Sequence, residues 1–318
     1  MSEKIRVLIA ERAQEAKEAV RLVLRRPNGE ALPAFTAGAH IDLYLPNGLT
    51  RQYSLINPCA ECDRYEIAVS KAAASRGGSA CVHTTLHVGD MLEISEPRNN
   101  FSLQGGQNTF HFIAGGIGIT PILSMIRYCE SRRWQWRLLY LARSRECAAF
   151  HEELAAFGPE RVRFHFDDEA GRLFDFADRS FIVEPGVPIY CCGPAPVMKA
   201  VADFSSSHPD NPAYFEWFSP PAAVETDVIA SGFDVKLKRS GKTLHVPESK
   251  SILEVLEEHG HELPCSCREG MCRTCETTVI EGVPDHRDYV LSATEREAGR
   301  SMMICVSRAK SATLVLDI

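Results

Sequence analysis

The chain has 318 residues, 45% of them hydrophobic and 24% charged, and carries a net charge of −7. These values describe an ordinary globular protein of two or three domains, not a disordered or fibrous one. The negative balance argues against nucleic acid as a partner, and no apolar run reaches the roughly 18 residues of a membrane span.

Residues 1–7 lack the apolar core of a signal peptide. Twelve cysteines, most of them outside any paired pattern, suit a reducing cytoplasm. There is no internal repeat.

In chain order, residues 4–10 and 18–24 read as strands, and Pro27-Asn28-Gly29 as a turn. Residues 41–45 alternate as a half-buried strand does, and Pro46-Asn47-Gly48 turns the chain into a further strand over 50–57. Many short strands separated by turn signals predict a small antiparallel barrel. Arg51 and Tyr53 fall on one face of the last strand. An arginine suits a phosphate, a tyrosine offers a flat face to a flavin ring, and Ser54 can hydrogen-bond that ring. The same pattern also fits a plain strand surface. Arg76-Gly77-Gly78-Ser79 precedes a predicted helix over 80–87. Glycines at a helix start present N–H groups to an anion, while Ser79 also serves as an ordinary N-cap. A turn at 88–90, a strand over 91–95 and the segment 97–101 close the barrel.

Residues 110–114 form a short apolar strand that runs into Gly115-Gly116-Ile117-Gly118-Ile119-Thr120-Pro121 and a helix over 122–132. Strand, glycine turn and helix start make a nucleotide-binding unit, although the spacing is not G-x-G-x-x-G. Strands over 137–142, 162–166, 188–192 and 214–218 and helices over 148–157 and 197–204 predict a parallel α/β sheet. Sites in such sheets lie at the carboxyl ends of strands, so Thr120 and Cys192 are expected at one crevice. A buried free cysteine is also a common small core residue. Residues 219–231 read as a linker.

Beyond the linker, strands over 233–237 and 242–246 make a hairpin around Ser240-Gly241, and a helix spans 251–259 with Ser249 or Ser251 as its cap and Gly260 as its stop. Strands over 277–280, 302–306 and 313–317 complete a small sheet. Between helix and sheet lies C-x4-C-x2-C, formed by Cys267, Cys272 and Cys275, with Cys305 thirty residues on. That is the spacing of a plant-type 2Fe–2S ferredoxin. A structural zinc site would pair C-x2-C with a second such pair or with histidine, and a disulfide framework belongs to small secreted domains. Cys265 stands outside the pattern as a neighbour that tunes the cluster or oxidises easily.

The whole chain resembles the phthalate dioxygenase reductase family, which includes the reductase components of vanillate O-demethylases and related Rieske oxygenases. The resemblance rests on Arg51-x-Tyr53-Ser54, Gly77-Gly78-Ser79, the Gly115–Pro121 turn, Cys191-Cys192-Gly193-Pro194, the cysteine set and Asp285-His286-Arg287-Asp288. It implies an FMN β-barrel over 1–104, an NAD-binding α/β domain over 105–222, a linker over 223–231, and a β-grasp ferredoxin over 232–318. By carry-over, Arg51 and Gly77, Gly78 and Ser79 hold the FMN phosphate, Tyr53 and Ser54 contact the ring, and Phe218 covers it. Gly115, Gly116, Gly118, Thr120, Arg143, Cys192, Gly193 and Pro194 take the dinucleotide, and Ser54, Cys192 and Glu216 orient the reacting rings. Cys267, Cys272, Cys275 and Cys305 bind the cluster. The implied partner is a Rieske-type oxygenase.

Two departures from the family pattern bear on function. Cys265 and Arg268 replace a small and an acidic residue, and a cation at 268 is expected to raise the cluster's potential. Arg143-Ser144-Arg145 follows the second nucleotide strand, where an acidic residue would favour NAD, so NADPH is an alternative to the NADH the family uses. Two other functions fit the residues: an NADH oxidoreductase working alone on a ferric chelate, quinone or oxygen, and a redox sensor without turnover. Residue 286 and the cluster loop are candidates for docking.

Overall fold

The computed structural model describes residues 4–71, 76–176, 184–219 and 232–318. The chain divides into two compact units, residues 2–218 and 219–318. The expected linker over 223–231 lies outside the described residues.

The first unit opens with β1 (Ile5–Ala16), β2 (Ala19–Arg25), β3 (His40–Tyr44), β4 (Thr50–Ser54), β5 (Tyr65–Ser70), α1 (Gly78–Thr84) and β6 (Met91–Ile94). These six strands form one antiparallel, barrel-like sheet in the order β4-β3-β6-β1-β2-β5. Its inner face buries Val7, Ile9, Leu22, Leu24, Ile41, Leu43, Ile67 and Ile94. Along each strand these positions are two apart, as the pleat requires. The helix predicted over 80–87 begins earlier. Gly77 takes a left-handed conformation at its N-cap, φ 87°, so Ser79 lies inside the helix and does not cap it.

The same unit continues with β7 (Thr109–Gly115), α2 (Ile119–Arg132), β8 (Gln135–Ala142), α3 (His151–Ala155), β9 (Val162–Phe166), α4 (Asp167–Ala170), β10 (Ile189–Cys192), α5 (Ala195–Ser207) and β11 (Ala213–Glu216). The five strands are all parallel, in the order β11-β10-β7-β8-β9. Near-continuous apolar runs suit strands covered on both faces. Phe110, Phe112 and Tyr190 pack on one face, and Ile113, Leu139 and Cys191 on the other. Ala19, Ala37, Ile56, Ala68 and Phe101, from the barrel half, join the first of these clusters. That shared core explains why the two sheets form one unit. The helix predicted over 148–157 shrinks to α3, because Ala148 is extended and Phe150 is left-handed at φ 59°.

The second unit contains β12 (Phe233–Leu237), β13 (Thr243–Val246), α6 (Ile252–Glu258), β14 (Glu276–Glu281), β15 (Pro284–Asp285), α7 (Ala293–Ala298), β16 (Ser301–Met303), β17 (Arg308–Ala309) and β18 (Thr313–Leu316). Its sheet runs β13-β12-β18-β14-β16, with β12 and β18 parallel and the other pairs antiparallel. This is the β-grasp arrangement. Ser251, rather than Ser249, caps α6 in a reciprocal capping box with Glu254. Ile252, Leu253, Val255 and Leu256 turn into the core, and Gly260 follows the helix with φ 78°. Two elements are not among those expected: α7, whose Ser292 and Glu295 form a second capping box, and the two-residue ladder of β15 with β17.

Candidate active site and metal centre

In the first unit, β4 and β11 bring Ser54 and Glu216 together. The Ser54 hydroxyl donates to Glu216 Oε2 at 3.3 Å. Parallel pairing of β10 with β11 sets Cys192 opposite Glu216, and β7 sets Ala114 on the other side of Cys192. Burial pushes the Glu216 carboxyl up to about 8 against the smaller opposing effect of the Ser54 bond. Burial, reinforced by Glu216, also raises the Cys192 thiol, so both side chains are neutral near pH 7. The three residues expected to orient the reacting rings thus share one place. His40, which motif reading passes over, belongs there too, with Nδ1 3.9 Å from Glu216 Oε1.

Arg51 reaches the glycine turn before α1. Its guanidinium donates to the Thr50 carbonyl at 2.8 Å and the Arg76 carbonyl at 3.1 Å. A Cβ on Gly78 would come within 2.6 Å of Arg51 Nε, so the arginine lies flat on the turn only because no side chain stands there. Tyr53 packs on the barrel core, and burial raises its hydroxyl pKa. Phe218 keeps 44% of its surface exposed beyond β11. A cationic group beside a glycine turn, with an aromatic face and a buried hydroxyl on the same strand, fits a flavin mononucleotide. Among the described residues, neither ring nitrogen of buried His40 has a hydrogen-bond partner.

The two loops at the carboxyl ends of β7 and β10 press together backbone to backbone. A Cβ on Gly118 would lie 2.2 Å from the Cys192 carbonyl oxygen, and one on Gly115 would lie 2.5 Å from Pro194 Cδ. Gly193 is as tight against Gly115, at 3.0 Å. Gly116 is left-handed at φ 55°, and its carbonyl accepts from the Tyr140 hydroxyl at 3.1 Å. The Thr120 hydroxyl donates to the Ile117 carbonyl at 3.0 Å, within the loop itself. Arg143 pairs with Glu18. Arg145 makes a two-pronged pair with Glu169, 3.1 Å on each arm, and stacks on Phe166.

In the second unit, Cys267 contacts Cys272, and Cys275 contacts both Cys305 and Cys265. Among the described residues, no three His, Cys, Asp or Glu side chains converge as the ligands of a single metal ion do. A two-iron cluster takes two thiolates on each iron, so the Cys267–Cys272 and Cys275–Cys305 contacts fit it. Backbone N–H groups of Glu269 and Met271 point at Cys267 Sγ, at 3.3 and 3.4 Å, and that of Cys267 at Cys272 Sγ, at 3.5 Å. Such donors favour thiolate over thiol. The loop is bent tightly: Gly270 has φ 70°, and Arg268 and Arg273 have φ 57° and 56°. Cys265, outside the C-x4-C-x2-C spacing, touches Cys275.

The Asp285–Asp288 motif braces this loop. The Tyr289 N–H donates to the Gly270 carbonyl at 3.0 Å, and the Arg287 N–H to Ser307 Oγ at 3.2 Å, tying the loop to the segment after Cys305. Asp288 Oδ1 accepts from Val290 and Leu291 N–H at 3.1 and 2.8 Å. His286, a docking candidate in the sequence, has a side chain only 8% exposed, beside fully buried Asp288. The cation at Arg268 does not stand alone either, because Glu257 holds it through both carboxylate oxygens, at 3.1 and 2.5 Å.

A barrel-like sheet sharing its core with a parallel nucleotide sheet, and a β-grasp unit carrying paired thiols, define an oxidoreductase of the flavin and iron–sulfur type. Residues 235–310 match the 2Fe-2S iron-sulfur cluster binding domain family. The chain is 44% identical to phenoxybenzoate dioxygenase subunit beta of Ectopseudomonas oleovorans, over 96% of this chain and 95% of that protein. Its fold matches the solved structure of phthalate dioxygenase reductase, described as modular for electron transfer from pyridine nucleotides to [2Fe-2S]. That match has a TM-score of 0.71 and 39% identity, over 99% of this chain and 98% of that one. An intact type IV self-sufficient cytochrome P450 monooxygenase matches with a TM-score of 0.91 and 35% identity; this chain spans 41% of its length. The chain belongs to the phthalate dioxygenase reductase family. No helix among the described residues is long and apolar enough to cross a membrane.

Proposed function

We propose that this chain passes electrons from NADH through FMN and a 2Fe–2S cluster to a separate Rieske-type oxygenase in the cytoplasm. The observation that carries the reading is the Cys267–Cys272 and Cys275–Cys305 contacts in the same chain as the Ser54–Glu216–Cys192 site. The division of labour is a flavin part over 1–104, a nucleotide part over 105–222, a linker over 223–231 and a ferredoxin part over 232–318. A bound flavin supplies the conversion of a two-electron donor into one-electron steps.

The protein's own residues bind and orient. Arg51, with the Gly77, Gly78 and Ser79 turn, neutralises and cradles the phosphate. Tyr53, Ser54 and Phe218 bound the ring. Gly115, Gly116, Gly118, Gly193 and Pro194 give the dinucleotide a surface without side chains, with Thr120 holding the loop's shape. Arg143 lies at the end of the second strand, where the ribose is expected. Cys192, Glu216 and Ser54 would keep the meeting place of the two rings polar yet uncharged, a setting suited to the hydride chemistry that a bound nicotinamide and flavin would supply. Cys267, Cys272, Cys275 and Cys305 hold the cluster, and the N–H groups around Cys267 steady its negative sulfurs. Arg145 is already engaged by Glu169, which supports NADH over NADPH.

An anaerobic NADH titration followed in the visible spectrum tests the reading. Uptake of about three electrons per chain, two by flavin and one by cluster, is the expected result. Flavin bleaching with no thiolate–iron bands in an iron-replete sample would overturn it.

A further inference from the structure

His40 opens β3, with its backbone paired to Ser54 on one side and bridged to Arg98 on the other. Its side chain is 6% exposed, and neither ring nitrogen has a hydrogen-bond partner among the described residues. Buried polar atoms nearly always have partners, so two orphaned nitrogens in one ring need a physical reason. The ring stands against Glu216 Oε1, while Ser54 occupies Glu216 Oε2. Hydroxyl, carboxyl and imidazole therefore form a row across the two sheets of the first unit.

The groups facing this row are few. Arg98 and Asp42 flank His40 and pair with each other at 2.7 Å; the Cys192 thiol faces Glu216. Burial, helped by Arg98, lowers the imidazole to about 4, and burial raises the Glu216 carboxyl to about 8. Near pH 6 both are neutral. A neutral imidazole offers one bare nitrogen as acceptor, and a carboxylic acid offers one O–H. The Ser54 proton is already spent on Oε2, so the acid proton belongs on Oε1, beside the ring.

We propose that His40 is a positioning residue that fixes the direction of this row: Glu216 O–H donates to His40 Nδ1, Ser54 O–H donates to Glu216 Oε2, and Ser54 turns a lone pair outward. A carboxyl shift of roughly 1 Å brings the 3.9 Å gap into bonding range. The proposal rests on the reading that Ser54 faces the flavin. An outward lone pair accepts an N–H and repels another acceptor, so the row favours the reduced ring, which carries the additional N–H.

Three measurements on the full-length holoprotein test this. Nitrogen-15 histidine spectra of the wild type are expected to show His40 neutral at pH 7 with Nε2 protonated; an Nδ1-protonated tautomer overturns the proposal. An infrared titration, with the band assigned by its loss in Glu216→Gln, is expected to show the Glu216 acid ionising more readily in His40→Asn. The asparagine amide can donate to the carboxylate, so the expected shift is about tenfold or more in the ionisation constant. His40→Gln gives the same readout should the first variant fail to fold, and an unshifted titration in a folded variant overturns the proposal. The flavin potential is expected to fall in His40→Asn. If the infrared band shifts while the potential of both His40→Asn and Glu216→Gln stays at the wild-type value, the His40–Glu216 bond stands. What then fails is the placing of Ser54 and Glu216 against the flavin, and the effect proposed on the ring with it.

Discussion

At Glu216, burial outweighs the one hydrogen bond that favours its charge, and the carboxyl titrates at about 8 instead of its ordinary 4.5. A raised carboxyl contributes stability that is complete below pH 4.5 and lost as the pH climbs through 8, at about 1.4 kcal/mol for each pH unit crossed between the two. Glu216→Gln is expected to flatten that loss in urea unfolding measured against pH. His40 acts with the opposite sign: its pKa is lowered from 6.5 to about 4, so its contribution is full above 6.5 and is lost as the pH falls through 4. Arg145 presents a second test. Its guanidinium is held by Glu169, so Glu169→Gln is expected to raise kcat/KM for NADPH by about tenfold with little change for NADH. Around the cluster, Arg268→Glu is expected to lower the potential and Glu257→Gln to raise it. The changes should be about 10–40 mV in potentiometry, because the pair is partly exposed and worth roughly 0.2–1 kcal/mol. The cysteine set was legible because its spacing is rigidly tied to a cluster. The Arg268–Glu257 pair and His40 were not, since each owes its role to a neighbour brought up by the fold.

Among the elements, the pressed glycine loops after β7 and β10 separate two kinds of glycine. Gly118 has an ordinary backbone at φ −60°, but a Cβ there meets the Cys192 carbonyl at 2.2 Å. Gly116 is left-handed, and a Cβ there meets nothing within 4 Å. Gly118→Ala is expected to cost about 1–3 kcal/mol in urea unfolding and to abolish tight nucleotide binding, because the backbone itself must move. Gly116→Ala should cost only the strain of a left-handed alanine, about 1 kcal/mol. The parallel sheet was readable from apolar runs that end in glycine. Helix ends were readable where side chains set them, as at Ser251, and unreadable where backbone conformation did, as at Gly77 and Phe150. The S-x-x-E signal that marks α6 also stands at Ser292 and could have revealed α7. The ladder of β15 with β17 has no pattern to find, since two residues show no alternation.

For the whole molecule, the order of parts follows from composition breaks and motifs, but the joining of two sheets in one core does not. That joining depends on Ala19, Ala37 and Ala68, whose small size announces nothing in the sequence. Because the first unit closes its own core, residues 1–219 are expected to fold alone and to bleach flavin with NADH by two electrons, without the third that the cluster takes. Loss of the two-electron step in the folded fragment would count against the division of the chain proposed here.

The placing of β18 reaches into the protein's synthesis. It lies between β12 and β14, yet it follows Cys267, Cys272, Cys275 and Cys305 in the chain. A ribosome therefore delivers every thiol before the strand that joins the two sides of the small sheet. A chain truncated before residue 313 is therefore expected to lose the sheet's joining strand, and a fusion placed close behind residue 316 would press on the middle of the sheet rather than on its edge.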